Sequence, residues 1–218
     1  IEGEYGYSRD GQPVHPSYND NKHVAKEEMM ANKYLPLVVA FDYGLTPAAA
    51  LMQLDTHGRL SVYEEVVSGT DENGRMGMTR FLETMLVPLL RSKYLGFKVV
   101  GVGDPAGNKR SESDEKTCFD IIRNANIPIE PAPTNNPVAR MESLDKYLQR
   151  DIDGDPGFRI NPHCSMLRKG LNGNYRFRRM QISGETRYSE SPDKNIYSHV
   201  CEALQYGCLY LEKGATIR

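Results

Sequence analysis

The sequence predicts an α/β domain built on a mixed sheet flanked by helices. Three observations carry this. Leu37-Val38-Val39-Ala40-Phe41 is an unbroken apolar run ending in Asp42 and followed by Gly44, Thr46 and Pro47. A half-exposed strand would alternate, so this run reads as a strand covered on both faces and closed by a turn. Two more strand-like stretches follow directly, and beyond residue 78 helical and strand-like stretches take turns, an order that mixes antiparallel and parallel pairing in one sheet. At 218 residues with 39% hydrophobic content, the chain is long enough to bury a core in one large domain.

Residues 1–34 are polar, with scattered Gly, Pro, Asn and Tyr. Gly11-Gln12-Pro13-Val14-His15-Pro16 cannot be helical with two prolines in it. We read 1–34 as an extended lead-in packed on the domain, with a short helix near residues 25–32, and residues 35–218 as the domain proper. A linker from an upstream domain would read the same, and the opening on Ile1 suggests a piece of something longer.

Ala48–Leu54 and Arg59–Val67 are strand-like and flank Asp55-Thr56-His57-Gly58, a plausible hairpin turn, which makes the first three strands an antiparallel meander. Met78, Phe81, Leu82, Met85, Leu86 and Leu89 recur at helical spacing over 78–91, with Pro88 as a blemish. Residues 96–103 form a second buried strand, ending in Asp104. A helix over 113–124, a short strand at 127–129 and a helix over 138–150 follow. Residues 151–162 are loop-rich, with Gly154, Pro156, Gly157 and Pro162. Residues 174–182 and 186–189 flank Ser183-Gly184-Glu185 as a β-hairpin, and 195–212 closes the chain as a helix. There is no internal repeat.

Net charge is −2, so any nucleic-acid surface has to be local. The four cysteines, Cys118, Cys164, Cys201 and Cys208, include no CxxC pair, which argues against zinc and for a reduced intracellular setting. Nothing resembles a signal peptide or a membrane span.

One device occurs twice. Asp42 and Asp104 each end a buried strand and each precede a Gly/Pro turn. Aspartates often cap turns, but two anchored at neighbouring strand ends would converge. Carboxylates about 4 Å apart repel by roughly 4 kcal/mol near a surface, so such a pair calls for a cation. An all-oxygen setting suits Mg²⁺ or Mn²⁺. In the last helix, His199 and Glu202 lie three apart on one face, apart from an apolar stripe of Val200, Leu204, Cys208 and Leu211. Asp193, just before that helix, is a further candidate acid. Arg168, Lys169, Arg176, Arg178, Arg179 and Arg187 crowd the stretch 166–188 against Glu185 alone, interleaved with Tyr175, Phe177 and Tyr188. Such charge follows a phosphate backbone, while the aromatics either stack or pack.

Phe41-Asp42-Tyr43-Gly44-Leu45-Thr46-Pro47-Ala48, Gly103-Asp104-Pro105-Ala106-Gly107 and the run from Lys194 through Ser198-His199-Val200-Cys201-Glu202-Ala203-Leu204 to Tyr206 resemble the C-terminal nuclease domain of tailed-bacteriophage terminase large subunits. The lead-in 11–16 and the hairpin 173–180 fit the same family. The resemblance implies a ribonuclease-H-like fold, with a mixed five-stranded sheet flanked by helices and an added β-hairpin. It implies an endonuclease that cuts concatemeric double-stranded viral DNA with two Mg²⁺ or Mn²⁺ ions. Asp42 would bridge the ions, Asp104 and Glu202 would hold one each, with Asp193 in reserve, and His199 would orient a ligand or assist proton transfer. Related terminases usually carry aspartate where this chain has Glu202. The basic stretch 168–188 would hold DNA by its phosphates, with weak sequence preference and strong salt dependence.

The implied partners are the N-terminal ATPase domain, absent from this chain since no GxxxxGK[S/T] loop occurs, the portal protein and the small terminase subunit. The implied setting is the host-cell cytoplasm during assembly, without secretion or membrane. Asp42-Tyr43-Gly44-Leu45-Thr46 also resembles the phosphate loop of the actin and sugar-kinase fold, which would need a second matching half. A catalytically idle DNA-binding scaffold is the remaining alternative.

Overall fold

A computed structural model describes residues 11–44, 46–70, 73–108, 116–182 and 185–213. The lead-in supplies β1 (Gly11–Pro13) and one turn of helix, α1 (Asp20–His23). The meander is β2 (Leu37–Asp42), β3 (Ala48–Leu54) and β4 (Leu60–Val67). Next come α2 (Met78–Phe81) and α3 (Val87–Lys93), joined by a π-helical turn over Leu82–Leu86, then β5 (Val99–Gly103) and a 3₁₀ turn over Pro105–Asn108. After α4 (Cys118–Asn124), β6 (Ile129–Pro131) and α5 (Pro137–Gln149) stand a two-residue ribbon, β7 (Asp151–Ile152) with β8 (Asp155–Pro156), and then β9 (Phe158–Ile160). The chain finishes with α6 (Ser165–Lys169), a wide turn over Gly170–Asn174, the arm β10 (Arg176–Ile182) and β11 (Glu185–Pro192), and α7 (Ile196–Glu212).

The central sheet has the order β6-β5-β2-β3-β4-β9. The pairs β2–β3 and β3–β4 are antiparallel, whereas β5, β6 and β9 each join in parallel. Because successive side chains on a strand point to opposite faces, β2 splits its apolar run between two cores. Val38 and Ala40 face α5 and α7, while Leu37, Val39 and Phe41 face the helices around Phe81, Leu82 and Phe119. Both halves are fully buried, which is why the run does not alternate.

The sheet therefore has six strands where five were expected. The sixth, β9, is three residues long and lies in the Gly- and Pro-rich stretch 151–162, too short to carry a period of its own. The short helix expected at 25–32 is replaced by α1 and an irregular segment. Buried side chains satisfy that segment's backbone: Asn161 binds both N–H and C=O of Met29, and Gln53 does the same for Asn32. The helix expected from residue 113 is described from Cys118 with Thr117 as its cap, in a capping box with Asp120. Residues 113–115, and Ser183 and Gly184 of the expected hairpin turn, lie outside the described residues. Pro88 is accommodated rather than helix-ending. It lacks an N–H and would crowd the carbonyl four residues back, and the π turn immediately before it opens the helix at that point.

The lead-in is stitched into the fold. β1 pairs antiparallel with β10, and Val14 and Tyr18 enter the α7-side core. His23 is fully buried and stacked on Tyr18, with ring centroids 5.4 Å apart. Its Nδ1 accepts from the Asn19 N–H at 3.0 Å and its Nε2 donates to the Leu148 carbonyl at 3.0 Å, so the ring is neutral. Burial depresses its pKa below the usual imidazole value. A depressed value means that the unfolded chain takes up the proton first. Stability held above the ordinary histidine pKa, roughly 6.5, should therefore fall as pH drops through that value toward the folded one. Urea midpoints at pH 7.5 and pH 5 are expected to differ by less in His23→Gln than in the wild type.

α7 is enclosed rather than half-solvated, with every residue from Val200 to Leu211 buried. The sheet and α5 both pack against it. At Gly207 the helix nearly touches the sheet, since a Cβ there would meet Met52 Sδ at 2.7 Å and Ala40 Cβ at 3.0 Å. Met52 can yield but Ala40 cannot. Gly207→Val is expected to cost about 1–3 kcal/mol, read as a lower urea midpoint.

Candidate active site

The period of two that builds the core also aims the acids. On β2, Asp42 continues the Val38–Ala40 series and faces α7. On β5, Val100 and Val102 lie on the same side of the sheet, so Asp104 continues their series. β2 and β5 are parallel neighbours with Phe41 opposite Gly103, which brings Asp42 and Asp104 to the same carboxyl-terminal edge. α7 crosses this edge and presents His199 and Glu202 one turn apart.

His199 Nδ1 lies 2.8 Å from Asp42 Oδ2, and its Nε2 lies 2.8 Å from Thr46 Oγ1. With Nδ1 protonated, the ring donates to Asp42 and accepts from the threonine hydroxyl. This fixes one carboxylate oxygen of Asp42 and leaves the other for the site. Burial holds the Asp42 carboxyl above the ordinary aspartate range. The His199 hydrogen bond opposes that shift, the charge of Glu202 adds to it, and Lys194 lowers it.

Glu202 is 5% exposed and is held by three groups. The Tyr175 hydroxyl donates to Oε1 at 3.2 Å, Lys194 Nζ binds both oxygens (2.5 Å to Oε2), and Arg140 Nη1 lies 3.5 Å from Oε2. Asp104 accepts from the Ala106 N–H at 2.8 Å, and its charge adds to the burial that raises the pKa of Tyr206, one helical turn beyond Glu202. The site is thus an acid cluster with two cations set into it.

Asp193 is ion-paired. Its carboxylate pairs with Arg178 Nη2 at 2.5 Å at the foot of the arm. Among the described residues, the three-member group whose ligand atoms all fall within 4.8 Å is Glu28, Glu64 and His163. Asp42, Asp104 and Glu202 are spread more widely than that. The Glu28–Glu64 pair already has its counter-charge, since Lys93 Nζ reaches Glu28 at 2.7 Å and Glu64 at 2.5 Å.

The six basic residues divide. Arg168 is committed inward, donating to Asp20 at 2.7 Å and to the Pro162 carbonyl at 2.6 Å. Lys169, Arg178, Arg179 and Arg187 are exposed, and Arg176 is half-buried. Tyr175 packs in the core, Phe177 packs partly, and Tyr188 is exposed. Three residues at the site were not singled out in the sequence: Lys194, Arg140 and Tyr206. Lys194 lies eight residues before Glu202 in a motif already recognised, whereas Arg140 is one polar position among many on an amphipathic helix.

The four cysteines are free thiols, three of them buried. No helix among the described residues is long and apolar enough to cross a membrane.

The chain has the ribonuclease-H-like fold of large terminase nuclease domains. One solved structure of the large terminase from a thermophilic bacteriophage superposes with a TM-score of 0.64 at 15% identity, covering 93% of this chain and 45% of that one. A second structure of the same terminase, in complex with ATP-gamma-S, gives 0.63 at 15% identity over 92% and 45%. The P22 large terminase nuclease domain gives 0.63 at 10% identity, with 92% of each chain covered. The chain therefore spans less than half the length of the thermophilic phage terminase and nearly all of the isolated P22 domain. No protein-family model and no curated protein sequence matches it.

Proposed function

We propose that this chain is the nuclease portion of a viral DNA-packaging terminase, a divalent-metal-dependent endonuclease that cuts concatemeric double-stranded DNA with little sequence preference. The supporting observation is that Asp42 and Asp104 end adjacent parallel strands and that α7 bonds to Asp42 through His199, three residues before Glu202, on a ribonuclease-H-like sheet. The donor set suits Mg²⁺ or Mn²⁺, being three carboxylates and no thiol. The cluster also needs positive charge, for Lys194 reaches both oxygens of Glu202 and its charge acts on Asp42.

When bound, two such ions would supply an acidified water and stabilise the charge collecting on the leaving 3′ oxygen. The chain's own residues do the rest. Asp42 offers the oxygen that His199 leaves free, while the Thr46–His199–Asp42 chain keeps that carboxylate from rotating. His199 is on this account a positioning residue rather than a ligand. Asp104 is aimed by the Ala106 N–H, and Glu202 must give up Lys194 to serve as a ligand. The exposed arginines of β10 and β11 and Lys169 bind phosphates and set the duplex across the site. In the assembled motor the partners would be an ATPase domain, the portal and the small subunit, acting in the host-cell cytoplasm.

The domain with Mn²⁺ is expected to nick and linearise supercoiled plasmid, and EDTA to stop it. Intact plasmid after incubation with micromolar folded protein would sink the reading.

A further inference from the structure

Arg140 is the residue at this site that neither the mechanism nor the resemblance uses. It sits on α5 and is 6% exposed. Its Cζ is 4.5 Å from the centre of the Tyr206 ring, the tyrosine on which the charge of Asp104 acts. Its Nη1 is 3.5 Å from Glu202 Oε2, yet Nη1 and Nε are buried without a hydrogen-bond partner. A guanidinium kept out of water with donors unused is costly. A polar side chain so placed is held for its charge rather than for its hydrogen bonds.

The two cations at the site differ in kind. The Lys194 side chain is 64% exposed, on a flexible stem, and can swing into solvent. Arg140 is walled in by α5 and α7 and stays charged at any working pH. With Lys194 released, the three carboxylates and Arg140 sum to −2, the charge of one divalent ion rather than two.

We propose that Arg140 is a fixed internal cation that sets the charge of the acid cluster, so that the domain alone holds one divalent ion firmly and accepts a second only with the charge of a DNA phosphate. This rests on the metal-dependent reading above and adds to it a residue that limits metal loading. Arg140 is a positioning residue here, acting through Glu202.

The test is Mn²⁺ binding, read by electron paramagnetic resonance and calorimetry on the folded chain without catalysis. The wild type is expected to bind one Mn²⁺ per chain, and a second when a short duplex is added. Arg140→Gln should bind Mn²⁺ at least about tenfold tighter or take two ions without DNA, the sign expected when the positive charge beside Glu202 is removed. Arg140→Lys, which keeps the charge, should behave as the wild type. Two ions of similar affinity in the wild type without DNA would overturn the proposal, and that measurement needs no variant to fold. Unchanged or weaker binding in a folded Arg140→Gln would overturn it too. Binding lost in Asp42→Asn but unaltered in Arg140→Gln rejects the role of Arg140 alone, whereas a wild type that binds no Mn²⁺ rejects the metal centre and this inference together.

Discussion

Asp42→Asn is expected to reduce Mn²⁺-dependent plasmid cleavage by roughly a thousandfold or more. That corresponds to about 4 kcal/mol of transition-state stabilisation, within the several kcal/mol that a correctly held metal supplies. The same substitution should stabilise the fold. Asp42 is buried at the end of β2, beside another carboxylate, and burial disfavours its charged form. Asparagine keeps an oxygen for the His199 Nδ1–H and removes the charge. A gain of about 1 kcal/mol, or roughly 2–4 °C in melting temperature, follows. Raised Tm with abolished cleavage is the signature of a charge kept for chemistry at the expense of stability. Cleavage that survives in Asp42→Asn would remove this acid from the reaction.

The second large effect concerns the arm. Replacing Arg178, Arg179 and Arg187 together by Gln is expected to weaken binding of a non-specific duplex at moderate salt, on the order of thirty- to a hundredfold. The slope of log affinity against log salt should become shallower by about 3, one for each phosphate that is no longer neutralised. These arginines are exposed on paired strands, with Arg187 opposite Met180 and Arg179 opposite Tyr188. Arg168→Gln should leave the salt slope unchanged and lower stability instead, since that guanidinium ties α6 to Asp20 of the lead-in. Filter binding or fluorescence anisotropy across a salt series separates the two. An unaltered slope in the triple variant would place the DNA on another face.

What was legible in the residues, and what was not, follows from how local the causes are. The buried run 37–41, the twin strand-end aspartates and the helix around His199 and Glu202 could be read directly, because each depends on a few neighbouring positions. The strand β9 could not, since three residues between glycines and prolines show no period, and it pairs because β4 offers an open edge. The irregular path of 25–32 was equally hidden, because its backbone partners come from Asn161 and Gln53, distant in the chain. Arg168 and Arg178 look alike in sequence, and only their neighbours make one a structural tie and the other a surface cation.

By itself the sequence determined the fold class, the strand that anchors it and the residue types gathered for the chemistry, because hydrophobic period and turn residues act over short spans. The tertiary structure decided which acids share an edge, through the parallel register of β2 and β5. It also decided that Asp193 pairs with Arg178, and that Lys194 and Arg140 supply the positive charge beside Glu202. Those outcomes depend on distances between residues far apart in the chain, and Coulomb energy is set by distance in space, which spacing in sequence does not encode.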